Sequence, residues 1–204
     1  MEVSNLDPNE LGESEKHIIA PCGIYCGACD LFLGNSRSLA KEMYRILNGF
    51  NMADVGPWAM GIQRERVIDF LNILQNWSQG NKCPGCWLGG GSRSCPVRAC
   101  SQQQALLTCA ECERIPCNRL EEGPSPEAAA VLERVTRRYS NWNIMNLERI
   151  REVGYRRFVD EMQERVRNGF LTSDVISREM VISEAREKSK NKSGREGTRR
   201  NRNL

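Results

Sequence analysis

Apolar residues recur every three or four positions along much of this 204-residue chain, which is the spacing of one face of an α-helix. One stripe predicts a helix over residues 38–47 with Gly49 as its stop, and a second stripe predicts a helix from residue 64 to about residue 77. The stripes consist of Leu39, Met43, Ile46 and Leu47 in the first helix and Val67, Phe70, Leu71 and Leu74 in the second. We expect both stripes to pack in the core.

Helical spacing returns after a boundary marked by Gly-Pro-Ser-Pro at residues 123–126. Ser125 suits an N-cap and Pro126 suits the first helical position that follows it. A longer helix is predicted from about residue 146 to a stop at Gly169, and a last short helix is predicted to run to Met180. Arg and Glu are dense on the polar faces of these helices, which is typical of solvated surfaces.

The helical pattern stops between residues 80 and 117, where Gly, Pro and Cys are frequent. A loop-rich segment of this length buries too little apolar surface to become ordered unaided. Bound metal would supply the missing order, because the free energy of metal binding becomes folding free energy in such segments. The sequence therefore predicts a mainly α protein, a small helical domain with a loop-rich cysteine module ordered by metal.

Cysteine is the residue type that departs most from ordinary composition, since the chain has ten cysteines and a single histidine, His17. Three pairs are separated by two residues, a spacing that lets two thiolates in a tight turn point at one ion. All ten cysteines lie in the first 117 residues, and we predict all of them as candidate metal ligands: Cys22, Cys26, Cys29, Cys83, Cys86, Cys95, Cys100, Cys109, Cys112 and Cys117.

Zinc is the metal that we expect, with a [4Fe–4S] cluster as the alternative. Ten thiols fill two closed zinc sites of four cysteines each and leave two over, and the spacing leaves open which cysteines share a site. An iron–sulfur cluster of this kind also uses four thiolates. We expect His17 not to be a ligand.

The sequence identifies no catalytic constellation. Cys22, Cys26 and Cys29 have the spacing of radical S-adenosylmethionine enzymes, but the repeated strand–helix units of those enzymes are missing. Thiol–disulfide exchange at Cys26 and Cys29 would also need a βαβ context. We therefore expect the metal to be mainly structural, in an interaction or assembly module with a protein partner. The alternative is an iron–sulfur redox protein or enzyme component with a redox partner.

The segments of the chain differ in charge and composition. Residues 1–16 form an acidic, polar leader that we expect to be disordered, residues 17–122 form the cysteine-rich module with two helices, and residues 123–185 form a helical segment. Residues 186–204 carry eight basic and two acidic residues, which predicts a basic disordered tail. A zinc module that binds nucleic acid through this tail is a further alternative.

The sequence also bears on the cellular compartment. The N-terminal residues lack the basic start and apolar stretch of a secretory signal. No apolar run approaches the ~18 residues needed to span a bilayer. We expect a cytoplasmic protein without membrane contact, in which the thiols stay reduced.

Four separated cysteine motifs occur in an order that resembles the bacterial and archaeal family known as domain of unknown function 3795. The resemblance covers roughly residues 18–120, and a Leu-x2-Ile-x3-Gly pattern at Leu147, Ile150 and Gly154 extends it. The motifs are Cys-Gly-x-Tyr-Cys-Gly-x-Cys at 22–29, Cys-x-Gly-Cys at 83–86, Cys-x4-Cys at 95–100 and Cys-Ala-x-Cys-x3-Pro-Cys at 109–117. The resemblance implies a metal binder that holds zinc or iron–sulfur, and it supplies no catalytic residue.

Overall fold

The structure is a computed structural model that describes residues 6–114, 125–180 and 182–183. Its ordered elements are helices, and the one β-type contact among the described residues is an isolated bridge between Ile19 and Tyr25. The mainly α class predicted from the sequence is confirmed. The helices are α1 (Glu13–Lys16), α2 (Asp30–Leu33), α3 (Asn35–Gly49), α4 (Met52–Met60), α5 (Arg64–Gln79), α6 (Pro96–Gln103), α7 (Pro126–Arg138) and α8 (Trp142–Arg167).

Helices α3 and α5 form an antiparallel pair, and α4 connects them. The guanidinium of Arg37, near the start of α3, donates through Nε to the Ser78 carbonyl oxygen at the end of α5 over 2.8 Å. Helix α5 buries a stripe of Val67, Leu71 and Leu74, each of which is 8% exposed. The two helices predicted in this region are therefore confirmed, whereas the periodicity did not reveal α4.

The expected burial of the α3 stripe is wrong. Leu39 is 69% exposed, Met43 is 48% exposed and Ile46 is 41% exposed. Phe70 on α5 also faces solvent, although we predicted it on the buried face. The reason is that α3 turns a neighbouring face, containing the buried Ala40, toward the bundle. Within the described chain, the central hydrophobic core takes no residue from these three helices.

The central core lies around α8, which packs against α7 and against the cysteine segments. Tyr25 and Phe158 meet edge to face in this core, with ring centroids 6.0 Å apart. Helix α8 breaks at Gly154, which has a φ of 79° that favours glycine. The Ser125 hydroxyl accepts from the Ala128 N–H, so the predicted cap of α7 is confirmed. The cysteine segments and the C-terminal helices therefore share one core, and the boundary drawn at residue 123 does not separate two packed units.

The predicted disorder of the N-terminal leader is wrong for residues 6–16, because this segment contains helical turns and packs on the core. Leu11 is only 4% exposed within the central core. The Glu15 carboxylate pairs with the Arg156 guanidinium, with Oε1 and Nη2 separated by 2.7 Å. This contact attaches α1 to the second half of α8. Residues 1–5 of the predicted leader lie outside the described residues.

The region from residue 80 to residue 114 contains more helix than predicted, since α6 lies between the loops there. Cys95 is the N-cap of α6 and Pro96 takes its first position, which suits a residue without an N–H. After α8, a 3-10 turn at Thr172–Val175 and a helical stretch at residues 178–180 stand where a short helix was predicted. The predicted tail at 186–204 lies outside the described residues.

In the part of the chain that the structure describes, no helix has the length and apolar character needed to cross a membrane.

Candidate metal centre

Two of the three Cys-x2-Cys segments adopt the same backbone shape. Each forms one 3-10 turn, at Cys26–Ala28 and at Cys109–Glu111. In the first turn the Cys29 N–H donates to the Cys26 carbonyl over 2.9 Å, and in the second the Cys112 N–H donates to the Cys109 carbonyl over 3.1 Å. The first cysteine of each turn is buried, at 9% and 8% exposure respectively. The two turns therefore present their thiols in equivalent ways.

Residues 18–31 hold the other cysteine segments through backbone hydrogen bonds. The Cys109 N–H donates to the Pro21 carbonyl over 2.8 Å, and the Cys83 N–H donates to the Leu31 carbonyl over 3.1 Å. The Cys26 N–H closes the first segment on itself by donating to the Ile18 carbonyl over 2.7 Å. All three Cys-x2-Cys segments are thus joined at residues 18–31, although up to about 80 residues separate them in sequence.

Helix α8 supports the cysteine turns through polar side chains that reach their backbone carbonyls. The Asn143 amide donates to the Cys22 carbonyl over 3.1 Å, and the Asn146 amide donates to the Gly23 carbonyl over 2.8 Å. The Arg151 guanidinium donates to the Ala110 carbonyl over 2.8 Å and also bonds the Cys112 carbonyl. Helix α8 therefore fixes the residues that precede the first turn in relation to the second turn.

A buried hydroxyl network connects α8 to the second turn. The Tyr155 and Thr108 hydroxyls are 2.8 Å apart, and the Tyr155 hydroxyl also donates to the Glu111 carboxylate. The same carboxylate accepts the Thr108 N–H over 2.9 Å. Burial raises the pKa of Tyr155 far above its usual value, and the adjacent Glu111 charge raises it further. The phenol therefore remains a neutral donor at physiological pH.

Tyr155→Phe is expected to lower the free energy of unfolding by about 1–3 kcal/mol, because it leaves the half-buried Glu111 carboxylate and the buried Thr108 hydroxyl without their shared partner. Denaturant unfolding of both proteins measures this loss. Tyr44→Phe on α3, where Tyr44 is half-buried outside this network, is the matched control. Equal losses in the two variants would contradict the assigned role of the network.

The Arg98 side chain on α6 holds the loop that follows Cys86. Arg98 is only 7% exposed, and its guanidinium donates to four backbone carbonyls of this loop. These acceptors are the carbonyl oxygens of Cys86 at 2.6 Å, Gly90 at 3.2 Å, Ser92 at 2.9 Å and Arg93 at 2.6 Å. The Nη1 atom also lies 3.8 Å from the Cys86 sulfur. A permanent positive charge is therefore buried beside a thiol, where it favours the thiolate form.

The charges of the thiols affect one another. Burial raises the pKa of Cys26 to about 12, while the Cys86 backbone N–H lowers it by donating to the sulfur. Burial also raises the pKa of Cys22 far above its usual value, and the charges of Cys86, Cys109 and Cys26 add to that rise. For Cys86, burial again raises the pKa, as does Cys95, whereas Arg98 lowers it. Cysteines from all the separated motifs described above therefore share one electrostatic neighbourhood.

Comparison with protein families gives a match over the cysteine-rich part of the chain. The family described as Protein of unknown function (DUF3795) matches residues 18–122, which is just over half of the chain. The chain belongs to this family. The resemblance predicted from the order of the cysteine motifs is thereby confirmed. Comparison with curated proteins and with solved structures found no match.

The match to the DUF3795 family ends before α7 and α8, so the supporting side chains on α8 lie beyond it. Sequence reasoning missed Asn143, Asn146, Arg151 and Tyr155, and it also missed Arg98. A signal for the two asparagines was present, because they share the apolar face of α8 with the buried Leu147 and Ile150. A polar residue on such a face requires a hydrogen-bond partner.

Several sulfurs accept hydrogen bonds, as thiolate ligands do in metal sites. The Ile24 backbone N–H donates to Cys22, and the Gln104 amide donates to the Cys100 sulfur over 3.1 Å. The Cys83 sulfur fits against Gly90 so closely that a Cβ at Gly90 would lie 2.6 Å from it. The donor set therefore has the chemistry that zinc and iron–sulfur clusters require.

The sulfurs are neighbours, but they are not gathered into a ligand set. Among the described residues, no three Cys, His, Asp or Glu side chains lie close enough together to hold a metal ion. Metal ligation therefore needs shorter sulfur–sulfur separations than the structure has. His17 lines a separate cleft of about 500 Å³, together with Trp87 and residues 105–107, and no cysteine lines this cleft. Cys117 lies outside the described residues.

Proposed function

We propose that this protein binds metal through its cysteine thiolates, with zinc as the metal, and that the metal is mainly structural. The observation that carries the proposal is the attachment of all three Cys-x2-Cys segments to residues 18–31. A metal held by thiolates from these segments would join loops that otherwise meet through few backbone hydrogen bonds. The resulting metal-ordered module would serve interaction or assembly with a protein partner.

The arrangement of the thiols supports the proposal in two further ways. Eight of the described cysteines are free thiols that can act as ligands: Cys22, Cys26, Cys29, Cys83, Cys86, Cys95, Cys100 and Cys112. This also supports a reducing compartment, and we infer a cytoplasmic location. The buried Arg98 cation and the N–H donors described above oppose the rise in pKa that burial imposes on these thiols, and bound metal would supply the remaining stabilisation of the thiolate form.

An iron–sulfur redox protein is the second candidate. The observation that favours it is the burial of Cys26 and the half-burial of Cys22 and Cys86, together with N–H groups that donate to their sulfurs. Burial and hydrogen bonds to sulfur are the features through which proteins tune the potentials of such clusters. Its cluster would exchange electrons with a redox partner.

The experiment that tests the proposal is the measurement of metal and acid-labile sulfide in protein purified without oxygen, together with the visible spectrum. About two zinc ions per chain without sulfide would support closed sites of four cysteines each. Iron with sulfide and a broad thiolate-to-iron absorption would select the second candidate. Protein free of both metals, which also fails to bind zinc or iron after reconstitution, would reject both.

Cys86→Ser and Cys112→Ser are each expected to lower the metal content by about one ion per chain and to reduce the melting temperature, because a hydroxyl is a poor substitute for a thiolate ligand. Elemental analysis and thermal unfolding measure the two effects. His17→Gln, which removes the single histidine, is the control and should leave the metal content unchanged. Full metal content and an unchanged melting temperature in both serine variants would exclude these cysteines as ligands.

A further inference from the structure

Exposed apolar side chains are concentrated on the α3–α5 region. Fourteen large apolar side chains are exposed among the described residues, and ten of them lie between residues 39 and 77. Soluble monomers scatter such residues singly, whereas a contiguous patch marks an interaction site. Seven of the ten form two stripes, which are Leu39, Met43, Ile46 and Phe50 along α3 and its C-cap and Phe70, Ile73 and Trp77 on α5.

The two stripes lie on the same side of the helix pair. Successive residues of an α-helix are rotated by about 100°, and on each helix the exposed stripe lies roughly a quarter to a third of a turn from the face that meets the other helix. That contacting face contains Arg37 and Ala40 on α3 and Leu74 and Ser78 on α5. When each helix is followed from its N-terminus to its C-terminus, the rotation from the contacting face to the exposed stripe has the same sense. Because the helices run antiparallel, both stripes come to one side and form a single surface, which we call the α3–α5 face.

The exposed area of this face suits a stable interface. Its residues are between 41% and 71% exposed, and three of the seven are aromatic. With about 150–250 Å² available from each aromatic side chain and somewhat less from each aliphatic one, the face exposes on the order of 700 Å². This approaches the roughly 800 Å² per partner of a standard protein–protein interface. It also exceeds the patch of about 300–600 Å² that is usual on monomers.

The spacing of the stripes indicates a helical partner. Leu39, Met43 and Ile46 follow one another at intervals of four and three residues, and Phe70, Ile73 and Trp77 follow at intervals of three and four. Such intervals place apolar side chains along the seam of packed helices. The charged residues beside the stripes have both signs, with the acids Glu42 and Asp69 and the basic Arg66, unlike the uniformly basic faces of helices that lie on membranes.

We propose that the α3–α5 face binds the same face of a second copy of this chain. Two antiparallel helix pairs joined by a two-fold axis complete a four-helix arrangement, which buries both stripes of both copies. The central hydrophobic core and the cysteine turns lie outside this interface. The dimer therefore does not depend on the presence of metal.

The experiment is sedimentation equilibrium of the full chain up to about 100 µM, which is above the dissociation constants usual for interfaces of this area. We expect a dimer. Met43→Glu and Ile73→Glu place a charge near the centre of each stripe, and each is expected to weaken dimerisation by about 30-fold or more. Met145→Glu is the control, because Met145 is 60% exposed on α8 outside the face and its substitution should leave the dimer intact.

Other outcomes overturn the proposal. A monomeric full chain would do so, as would a dimer that both variants leave unchanged. Binding of a monomer to vesicles of phosphatidylcholine and phosphatidylserine would assign the face to a membrane surface instead. Helical content by circular dichroism checks that the variants fold. Should a variant fail to fold, amide exchange in the full chain decides independently, because dimerisation must protect α3 and α5 more strongly as concentration rises.

Metal content separates this proposal from the proposed function. The Glu variants are expected to retain the metal content of the unaltered chain. Loss of the dimer together with full metal content supports the interface and leaves the metal proposal standing. A parallel loss of metal and dimer in Met43→Glu or Ile73→Glu would contradict an interface that is separate from the cysteine turns.

Discussion

Gly23→Ala is expected to lower the free energy of unfolding by about 3–5 kcal/mol, the combined effect of backbone strain and overpacking. Gly23 has a φ of 88°, which L-residues with a side chain rarely adopt. Its added Cβ would lie 2.2 Å from the Asn143 carbonyl oxygen and 2.7 Å from Leu147 Cγ. Relief of this clash requires α8 to move away from Gly23, which also breaks the Asn146 bond to the Gly23 carbonyl. Denaturant unfolding measures the loss.

Gly169→Ala separates the strain from the clash. Gly169 follows α8 with a φ of 92°, and an added Cβ there would meet no atom within 4 Å. This variant is therefore expected to lose only the strain, about 1–2 kcal/mol. Equal stability of the two alanine variants would contradict the close approach of α8 to Gly23.

Arg98→Lys is expected to lower the free energy of unfolding by about 2–4 kcal/mol although it preserves the charge. The guanidinium reaches four carbonyls at once, and hydrogen bonds from charged donors contribute about 1.5–3 kcal/mol each before the freed carbonyls bind water. A lysine ammonium has three donors and no planar fork, so it leaves carbonyls of the loop unpaired. The loop after Cys86 should then become sensitive to chymotrypsin at Trp87 and Leu88.

Arg93→Lys is the matched control for Arg98→Lys, since Arg93 lies in the same loop with an exposed side chain and contributes its backbone carbonyl. It should unfold and resist chymotrypsin as the unaltered protein does. Equal sensitivity of the two lysine variants would show that the Arg98 guanidinium does not hold the loop.

The helices could be predicted from the sequence more fully than the burial of their faces. Helical spacing located α3 and α5 to within three residues at each end, because that spacing is a local property of the chain. Helix α5 has this spacing on two faces. The buried face contains Val67, Leu71 and Leu74, and the exposed face contains Phe70, Ile73 and Trp77. Which stripe becomes covered depends on the position of α3 and α4, and periodicity within one helix does not contain that information.

In the candidate site, too, the local turns could be predicted from the sequence, whereas the contacts between distant residues could not. The spacing of Cys26 and Cys29 and of Cys109 and Cys112 predicted two tight turns, and the two turns have matching backbones. The role of Asn146 was not predictable in this way, because its partner Gly23 lies 123 positions earlier in the chain. The role of Arg98 was equally unpredictable, because a lone arginine between Cys95 and Cys100 resembles any surface cation until its burial is known.

The support that α8 gives to Cys22 and Gly23 sets an order of events during protein synthesis. Gly23 leaves the ribosome 123 residues before Asn146, its hydrogen-bond partner. At the usual elongation rate of about 5–20 residues per second, the thiols near Gly23 wait roughly 6–25 s for the helix that fixes their backbone. Contacts between such distant positions also form slowly in refolding chains. In the nascent protein, the backbone around Gly23 is therefore fixed among the last parts of the fold, although it belongs to the first parts to be made.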